Sequence, residues 1–247
     1  MFPFFTKQYF LADHLEGLVD IHNHILPGID DGAKTPADAL ELIKGMEAMG
    51  ITDFICTPHI MDNYYPNTPK SIADAEKTVK LALAEERLEH IKIRKAAEHM
   101  IDSNFENLLA KGNIMPLDNR YLLIEMSYLQ PSLNLLTAVE QISEQNLYPI
   151  LAHPERYAFL HGSTRTFSGY KEKGMLLQMN LLSLSPYYGK EVQKAAFRLV
   201  EAGLIDFMAS DVHNTRQLNA LKEVKLKKPF LEKVRPILQK TTYNFAS

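Results

Sequence analysis

The sequence predicts an α/β fold in which seven parallel strands alternate with helices and close into a barrel. Short apolar segments rich in β-branched residues recur along the chain, and amphipathic helical patterns fill the intervals between them. Such alternation is typical of a parallel sheet whose strands are connected by helices. The length of 247 residues suits a single α/β barrel domain. The segments lie near residues 18–22, 51–57, 91–97, 121–126, 148–152, 175–180 and 204–210.

Helix start and stop signals separate the predicted strands. Thr35 has the character of an N-cap and Pro36 that of a first helical residue, and Gly50 ends that helix before the next strand. A long amphipathic helix is predicted over residues 71–89, and another over residues 191–202. These signals support a regular succession of βα units.

Composition argues against several classes of partner. A net charge of −3 gives no basic surplus for nucleic acid or anionic lipid. No apolar run approaches the roughly 20 residues of a membrane span, so we expect no transmembrane segment. The single cysteine, Cys56, allows no intramolecular disulfide and favours a cytoplasmic location. Residues 57–62 lack the glycine and arginine of a cysteine-phosphatase loop, so we interpret Cys56 as a buried core residue.

We divide the chain into an N-terminal arm over residues 1–17 and a barrel domain over residues 18–247. The arm is apolar but lacks the basic region and the cleavage site of a signal peptide. We therefore expect it to pack on the barrel or on a partner subunit, which makes it the candidate contact of a homo-oligomer.

Side chains suited to metal binding follow six of the seven predicted strands. In α/β barrels the carboxyl ends of the strands carry the active site, so these side chains should meet at one edge. The paired residues at the first and last strand ends are two apart and share one face. The six strand ends carry His22 with His24, His59, Glu98, Glu125, His153, and Asp211 with His213. Only the sixth segment, ending in Gln178-Met179-Asn180, contributes no strong ligand.

Some of these residues also allow a structural interpretation. Glu98 and Glu125 follow apolar runs, and a buried carboxylate must be paired, protonated or metal-bound. Asp30 and Asp31 lie in the first loop, where one should form an Asx turn or N-cap and the other should reach the site. The residues alone do not decide which aspartate does which.

Two arginines stand three residues after a predicted ligand: Arg156 after His153, and Arg216 after His213. An arginine in a surface loop most often has a structural role. Beside a metal ligand, however, its planar fork suits the oxygens of a phosphate group. We therefore treat Arg156 and Arg216 as candidate phosphate-binding residues.

Taken in order, these motifs resemble the PHP superfamily (polymerase and histidinol phosphatase). The segment Asp-Ile-His-Asn-His-Ile-Leu-Pro-Gly-Ile-Asp-Asp-Gly-Ala at residues 20–33 is similar to the opening motif of its CpsB/CapC type, the metal-dependent protein-tyrosine phosphatases of bacterial capsule biosynthesis. Residues 57–59, 123–125, 152–156 and 209–214 also match that type. The resemblance spans roughly residues 18–216, which is most of the predicted barrel.

The resemblance implies a distorted seven-stranded (βα)7 TIM-like barrel, the PHP fold, with three divalent metal ions at the carboxyl ends of its strands. Manganese is the metal it implies first, while iron, zinc, cobalt and magnesium suit similar ligands. By position, it implies one metal held by His22, His24, Glu98 and Asp211, a second held by Glu98, Glu125 and His153, and a third held by Asp31, His59 and His213.

The resulting hypothesis is a metal-dependent phosphatase that removes phosphate from protein tyrosine, with a metal-bound hydroxide as nucleophile. Arg156 and Arg216 would stabilise the developing charge, and Asp31 or His59 would protonate the leaving group. The resemblance implies a bacterial tyrosine kinase tail as substrate, in capsule or exopolysaccharide biosynthesis. Two alternatives stay open: a small-molecule phosphatase resembling histidinol phosphatase, and a non-catalytic metal-binding barrel module. Tyr64, Tyr65 and Tyr128 are candidates for the lip of an aromatic pocket.

Overall fold

Parallel strands flanked by helices make up the fold of residues 7–246, the part of the chain that the computed structural model describes. The strands are β1 (Gln8–Phe10), β2 (Val19–Asp20), β3 (Asp53–Cys56), β4 (His59–Ile60), β5 (Lys92–Lys95), β6 (Glu98–Met100), β7 (Tyr121–Glu125), β8 (Tyr148–Ala152), β9 (Leu176–Asn180), β10 (Phe207–Ala209) and β11 (Lys225–Lys227). The helices are α1 (Pro36–Glu47), α2 (Pro69–Glu85), α3 (Phe105–Ala110), α4 (Leu135–Glu144), α5 (Thr164–Glu172), α6 (Lys190–Glu201), α7 (Thr215–Lys222) and α8 (Lys228–Phe245).

Two parallel sheets bring the predicted strand ends together. One has the strand order β10-β9-β8-β7-β6-β4, and the other has the order β2-β3-β5. The chain passes from β3 to β4, and from β5 to β6, through only two residues, so these pairs act as interrupted long strands. A parallel bridge between Asn23 and Val212 and a hydrogen bond from Asp211 N to His22 O link the first strand region to the last.

Each of the seven predicted segments contains a strand, and the pairings confirm a parallel α/β arrangement. The interruptions after β3 and β5 were not predicted. As a result His59 and Glu98 begin β4 and β6 instead of following a strand, and they are register partners. The two side chains therefore start from adjacent backbone positions.

Helix caps and apolar faces account for the packing around the sheets. Thr35 accepts a hydrogen bond from Asp38 N in a capping box, as expected for the start of α1. The buried face of α1 includes Leu42, Ile43 and Met46. Cys56 is fully buried, as its apolar setting predicts. Among the described residues, no helix is long and apolar enough to span a membrane.

The described part of the N-terminal arm packs on the rest of the chain. Strand β1 pairs antiparallel with β11, and Leu11 and Leu15 are fully buried in the main core. Residues 1–6, the other part of the arm, lie outside the described residues. The contact between β1 and β11 ties residues near the start of the chain to the segment that precedes α8.

Candidate metal centre

All nine predicted metal ligands converge at the carboxyl edge of the strands. They form four overlapping groups in which the possible ligand atoms lie within 4.8 Å of one another. The groups are His22, His24 and Asp211; His22, Glu98 and His153; His59, Glu98 and Glu125; and His24, Asp31, His59 and His213. Residues from strand ends far apart in the sequence thus form one continuous cluster.

Glu98 lies at the centre of this cluster and is fully buried. Its Oε2 atom is 3.3 Å from His22 Nε2 and 3.0 Å from His59 Nδ1. Its Oε1 atom is 2.9 Å from His153 Nε2. Oε2 also lies 3.6 Å from His24 Nε2, so the two oxygens of one carboxylate face four imidazoles.

The first and last strand ends supply the deepest group. The Nε2 atoms of His22 and His24 are 3.4 Å apart, and they lie 3.3 and 3.4 Å from Asp211 Oδ1. Two ring nitrogens and a carboxylate oxygen that converge in this way are a donor set suited to a divalent transition metal.

The two aspartates of the first loop have different partners. Asp30 is buried, with Oδ2 2.7 Å from His24 Nδ1, and its Oδ1 accepts a hydrogen bond from Gly32 N. The side chain of Asp31 is 51% exposed, and its Oδ1 lies 3.4 Å from His59 Nε2 and 3.5 Å from His213 Nε2. Asp30 thus orients a histidine from behind, whereas Asp31 faces the cluster directly.

His59 occupies a position between two of the implied sites. Its Nε2 faces Asp31, while its Nδ1 lies 2.9 Å from Glu125 Oε1 and 3.0 Å from Glu98 Oε2. The resemblance groups His59 only with Asp31 and His213. The structure also brings it against the two glutamates.

The cluster passes a simple test of fit to divalent cations. Several of its atoms are buried without a well-aligned hydrogen-bond partner among the described residues, namely Glu98 Oε2, Glu125 Oε1, His59 Nδ1 and His153 Nδ1. His59 Nδ1 is close to carboxylate oxygens, but the geometry is poor for a hydrogen bond. Buried polar atoms of this kind need a partner, and a cation supplies one to carboxylates and neutral imidazoles together.

Protons balance the charges of this cluster when no metal is bound. Burial lowers the pKa of His22, but the charges of Glu98 and Asp211 outweigh it and raise that pKa to about 8. Burial opposes ionisation of Glu98, yet His22 and His59 hold its pKa well below the usual range. A metal ion must displace such protons, so metal binding should strengthen as the pH rises.

We expect the metal-free protein to lose stability between pH 6.5 and about pH 8, the ordinary and folded-state pKa values of His22. A histidine whose pKa is raised by folding stabilises the fold fully at pH values below its pKa in the unfolded state. That stabilisation is lost as the pH rises through its pKa in the folded state. The contribution of His22 alone should be on the order of 2 kcal/mol. His24 and His59 add to the loss, because despite burial Asp30 and Glu125 respectively raise their pKa values well above the ordinary value. His213, whose pKa burial lowers to about 4, changes stability only below this window.

Calorimetric unfolding of chelator-treated protein across this window measures the effect. The shift in Tm on adding Mn²⁺ should grow with pH, because fewer protons then compete for the ligands. A metal-free Tm that rises across the window would contradict this assignment. The exposed ion pair between His90 and Glu47 provides a control, since a His90→Gln variant should keep the wild-type pH trend.

A cavity of about 700 Å³ opens above the cluster. Seven of the nine candidate ligands line it, while His22 and His24 lie beneath. The remaining wall is rich in aromatic and apolar side chains, and it also contains one arginine and the carboxylates of Asp62 and Asp102. It includes Met61, Tyr64, Tyr65, Met100, Met126, Tyr128, Leu129 and Arg156. The three tyrosines expected at the lip are among these wall residues.

Arg156 is held in this wall by stacking and by an ion pair. Its guanidinium carbon lies 4.4 Å from the ring centroids of both Tyr128 and Tyr188. Its NH1 group donates a hydrogen bond of 3.1 Å to Asp211 Oδ2. The planar group is therefore fixed beside the candidate metal ligands with a permanent positive charge.

Arg216 has a different position from Arg156 despite its similar spacing in the sequence. It lies in the first turn of α7, is exposed, and is not part of the cavity wall. Its guanidinium carbon is 6.0 Å from the ring centroid of Tyr187. A phosphate-binding role for Arg216 stays a prediction.

Two candidate ligands have left-handed backbone conformations. His153 has a φ of 36° and Asp211 a φ of 52°, which are uncommon for residues with a Cβ atom. Each follows a strand, β8 or β10, and turns the chain where its side chain enters the cluster. Strain of this kind persists when the surroundings fix the conformation, as they do at functional sites.

Several residues around the cluster were not identified from the sequence. Tyr188 stacks on Arg156, Gln178 contacts His22, and Asn180 contacts Asp211. The polar end of the sixth strand was the one available signal for Gln178 and Asn180, since the two share a face. The sequence contained no comparable signal for Tyr188.

Comparison with known proteins assigns this arrangement to a family. The sequence model for "Capsular polysaccharide synthesis, CpsB/CapC" matches residues 18–233. The chain belongs to the CpsB/CapC family. Among members of the family, it is 33% identical over 211 residues to the tyrosine-protein phosphatase YwqE of Bacillus subtilis, covering 82% of this chain and 80% of that protein.

One solved structure agrees with this assignment, and a second shares the fold. One comes from work on YwqE from Bacillus subtilis and CpsB from Streptococcus pneumoniae, described there as unique metal-dependent tyrosine phosphatases. It matches this CpsB/CapC chain with a TM-score of 0.80 at 30% identity, covering 92% of this chain and 91% of that one. Histidinol phosphate phosphatase from Lactococcus lactis matches with a TM-score of 0.53 at 15% identity, with 91% and 94% covered. The second match concerns the fold alone.

Proposed function

We propose that this protein is a metal-dependent phosphatase that removes phosphate from tyrosine residues of proteins in capsular or exopolysaccharide biosynthesis. The observation that carries the proposal is the convergence of nine ligand-type side chains at the floor of one cavity, beside a fixed arginine. Titratable groups and a cationic side chain that meet in a concave site are the usual signature of an active site. The tyrosine phosphatases among its relatives support the choice of reaction.

We propose three divalent ions, with Mn²⁺ as the first choice and iron, zinc, cobalt and magnesium as alternatives. The proposed ligand sets are His22, His24, Glu98 and Asp211 for the first ion, Glu98, Glu125 and His153 for the second, and Asp31, His59 and His213 for the third. The chemistry that such ions supply when bound is the activation of water and the neutralisation of charge on a phosphate group. Glu98, whose carboxylate faces four imidazoles, is the ligand proposed to be shared by the first and second ions.

Side chains of the cavity wall would bind and orient the substrate. Arg156 presents a fixed guanidinium to phosphate oxygens and would stabilise the charge that develops on them. Arg216 would add a second contact if its exposed side chain turns toward the cavity. Asp31 and His59 both line the cavity, and we propose that one of them protonates the leaving oxygen.

The wall also favours an aryl phosphate over a small polar one. Tyr64, Tyr65, Tyr128 and Leu129 surround the entrance, and Tyr64 and Leu129 are largely exposed. Apolar and aromatic side chains at an entrance supply a surface against which a tyrosine ring can pack. For the same reason a protein segment, such as the tail of a bacterial tyrosine kinase, is the proposed substrate.

We propose that the strands close into a seven-stranded barrel, which the bridge between Asn23 and Val212 supports. We further propose the division into an arm over residues 1–17 and a barrel over residues 18–247, with the arm as an oligomer contact. A cytoplasmic location is supported by the single, buried cysteine.

Hydrolysis of a phosphotyrosine peptide, compared with histidinol phosphate and a phosphoserine peptide, tests the function. We expect chelator-treated protein to be inactive, and Mn²⁺ to restore kcat/KM with a preference for phosphotyrosine of at least about tenfold. A preference for histidinol phosphate would favour the small-molecule alternative. Failure to bind or respond to divalent metal would favour a non-catalytic module.

A further inference from the structure

The strand without a predicted ligand makes a buried polar contribution of its own. Gln178 and Asn180, at the end of β9, are both fully buried and share one face of the strand. Gln178 Oε1 lies 2.7 Å from His22 Nδ1, and Gln178 Nε2 donates a hydrogen bond of 3.1 Å to Asn180 Oδ1. Asn180 Nδ2 in turn donates to Asp211 Oδ2. The two amides thus connect two candidate ligands of one metal.

The direction of this chain of hydrogen bonds follows from the carboxylate at its end. Asp211 Oδ2 also accepts a hydrogen bond from the guanidinium of Arg156, as a carboxylate that only accepts hydrogen bonds would. Asn180 must therefore turn its NH₂ group toward Asp211 and its oxygen toward Gln178. Gln178 must then donate to Asn180, which leaves only its oxygen for His22.

This direction determines which nitrogen of His22 carries the proton. An amide oxygen accepts but does not donate, so a neutral His22 must carry its proton on Nδ1. The unprotonated Nε2 then points at Glu98 Oε2 and Asp211 Oδ1, each 3.3 Å away. That nitrogen is the one that a metal ion in the cluster would use.

We propose that Gln178 and Asn180 are positioning residues that fix the tautomer of His22 and the carboxylate of Asp211 for metal binding. The inference rests on the proposed function, because it concerns the same metal centre. His24 achieves a similar orientation through the carboxylate of Asp30. The neutral amides orient His22 without adding a further negative charge beside Glu98 and Asp211.

The tautomer can be measured directly in the wild-type protein. Long-range ¹H–¹⁵N NMR of the metal-free protein, at a pH high enough for His22 to be neutral, distinguishes protonated Nδ1 from protonated Nε2. A His22→Gln variant assigns the signals. We expect His22 to show the Nδ1–H form, and a predominant Nε2–H form would overturn the proposal whatever the variants do.

Two variants test the chain of hydrogen bonds from His22 through Gln178 and Asn180 to Asp211, which we call the relay. Gln178→Met removes both hydrogen bonds at nearly constant length, and Asn180→Leu removes the group that orients Gln178 while Gln178 still touches His22. We expect both to lose the tautomer preference and to weaken Mn²⁺ binding, measured by calorimetric titration, about 10- to 100-fold. An Asn180→Leu variant with the wild-type tautomer and affinity would show that no relay operates.

The control is Gln193→Met, which removes one side-chain hydrogen bond, from Gln193 Nε2 to Leu184 O, away from the cluster. We expect it to keep the wild-type affinity for Mn²⁺ and the wild-type tautomer. Wild-type protein that binds Mn²⁺ but cleaves no phosphotyrosine would reject the proposed function and leave the relay supported. Wild-type affinity in Gln178→Met would reject the relay and leave the function intact.

Discussion

Replacing Glu98 with glutamine should lower kcat/KM for a phosphotyrosine peptide by about 10³-fold, because metal-assisted charge stabilisation contributes several kcal/mol to the transition state. Glu98 is fully buried and contacts His22, His59 and His153. Glutamine has nearly the same shape but no charge, and its NH₂ group would face an imidazole nitrogen or a cation. We expect the loss to appear in Mn²⁺ affinity as well as in turnover.

Glu76→Gln is the matched control for this substitution. Glu76 is also buried and pairs with Lys80 and Lys95, but it belongs to α2 and lies away from the metal centre. The Glu76→Gln variant should have a lower free energy of unfolding and an unchanged affinity for Mn²⁺. If Glu98→Gln retained more than about a tenth of the wild-type kcat/KM, Glu98 would not be a bridging ligand.

The positions of the candidate ligands could be predicted because strand parity and strand ends are local properties. His22 and His24 share a face whatever the rest of the chain does, and parallel strands bring their carboxyl ends to one edge. The choice between Asp30 and Asp31 was different. It depends on the path of a loop, which places one carboxylate behind His24 and the other beside His213.

The two arginines show where spacing stops being informative. Both stand three residues after a histidine, yet the backbones that follow differ. His153 is left-handed and leads into a short 3-10 turn that carries Arg156 back over the cavity. Asn214 instead caps α7, so Arg216 occupies a regular first helical turn that points into solvent. Backbone conformation, not residue type, separates the two.

The relay residues were missed for a related reason. Gln178 and Asn180 are not metal ligands by type, so residue type alone predicts no strong metal ligand on the sixth strand. The two amides matter because they contact His22 and Asp211. These partners follow β2 and β10, and no local rule of sequence relates those strands to β9. Hydrogen-bond partners across strands follow from register, which is a property of the whole sheet.

Arg156→Lys should lower kcat/KM for a phosphotyrosine peptide by about 10²-fold, close to the loss of one preorganised donor to a developing oxyanion. Lysine keeps the positive charge, but it lacks the planar fork that two tyrosine rings hold in place and that donates to Asp211. Mn²⁺ affinity should fall less than kcat/KM, because no candidate ligand is removed and Asp211 keeps the hydrogen bond from Asn180. Steady-state kinetics with metal-saturated protein measures the effect.

Arg120→Lys provides the control, because Arg120 also lies over two tyrosine rings, 5.4 Å from Tyr121 and 5.5 Å from Tyr148, but away from the cavity. The Arg120→Lys variant should show the loss of stability that follows from removing a stacked guanidinium, without a change in catalysis. If both lysine variants lost activity equally, the effect would come from stability. If Arg156→Lys kept full activity, charge alone would suffice at this position and the stacked fork would have no role in binding phosphate.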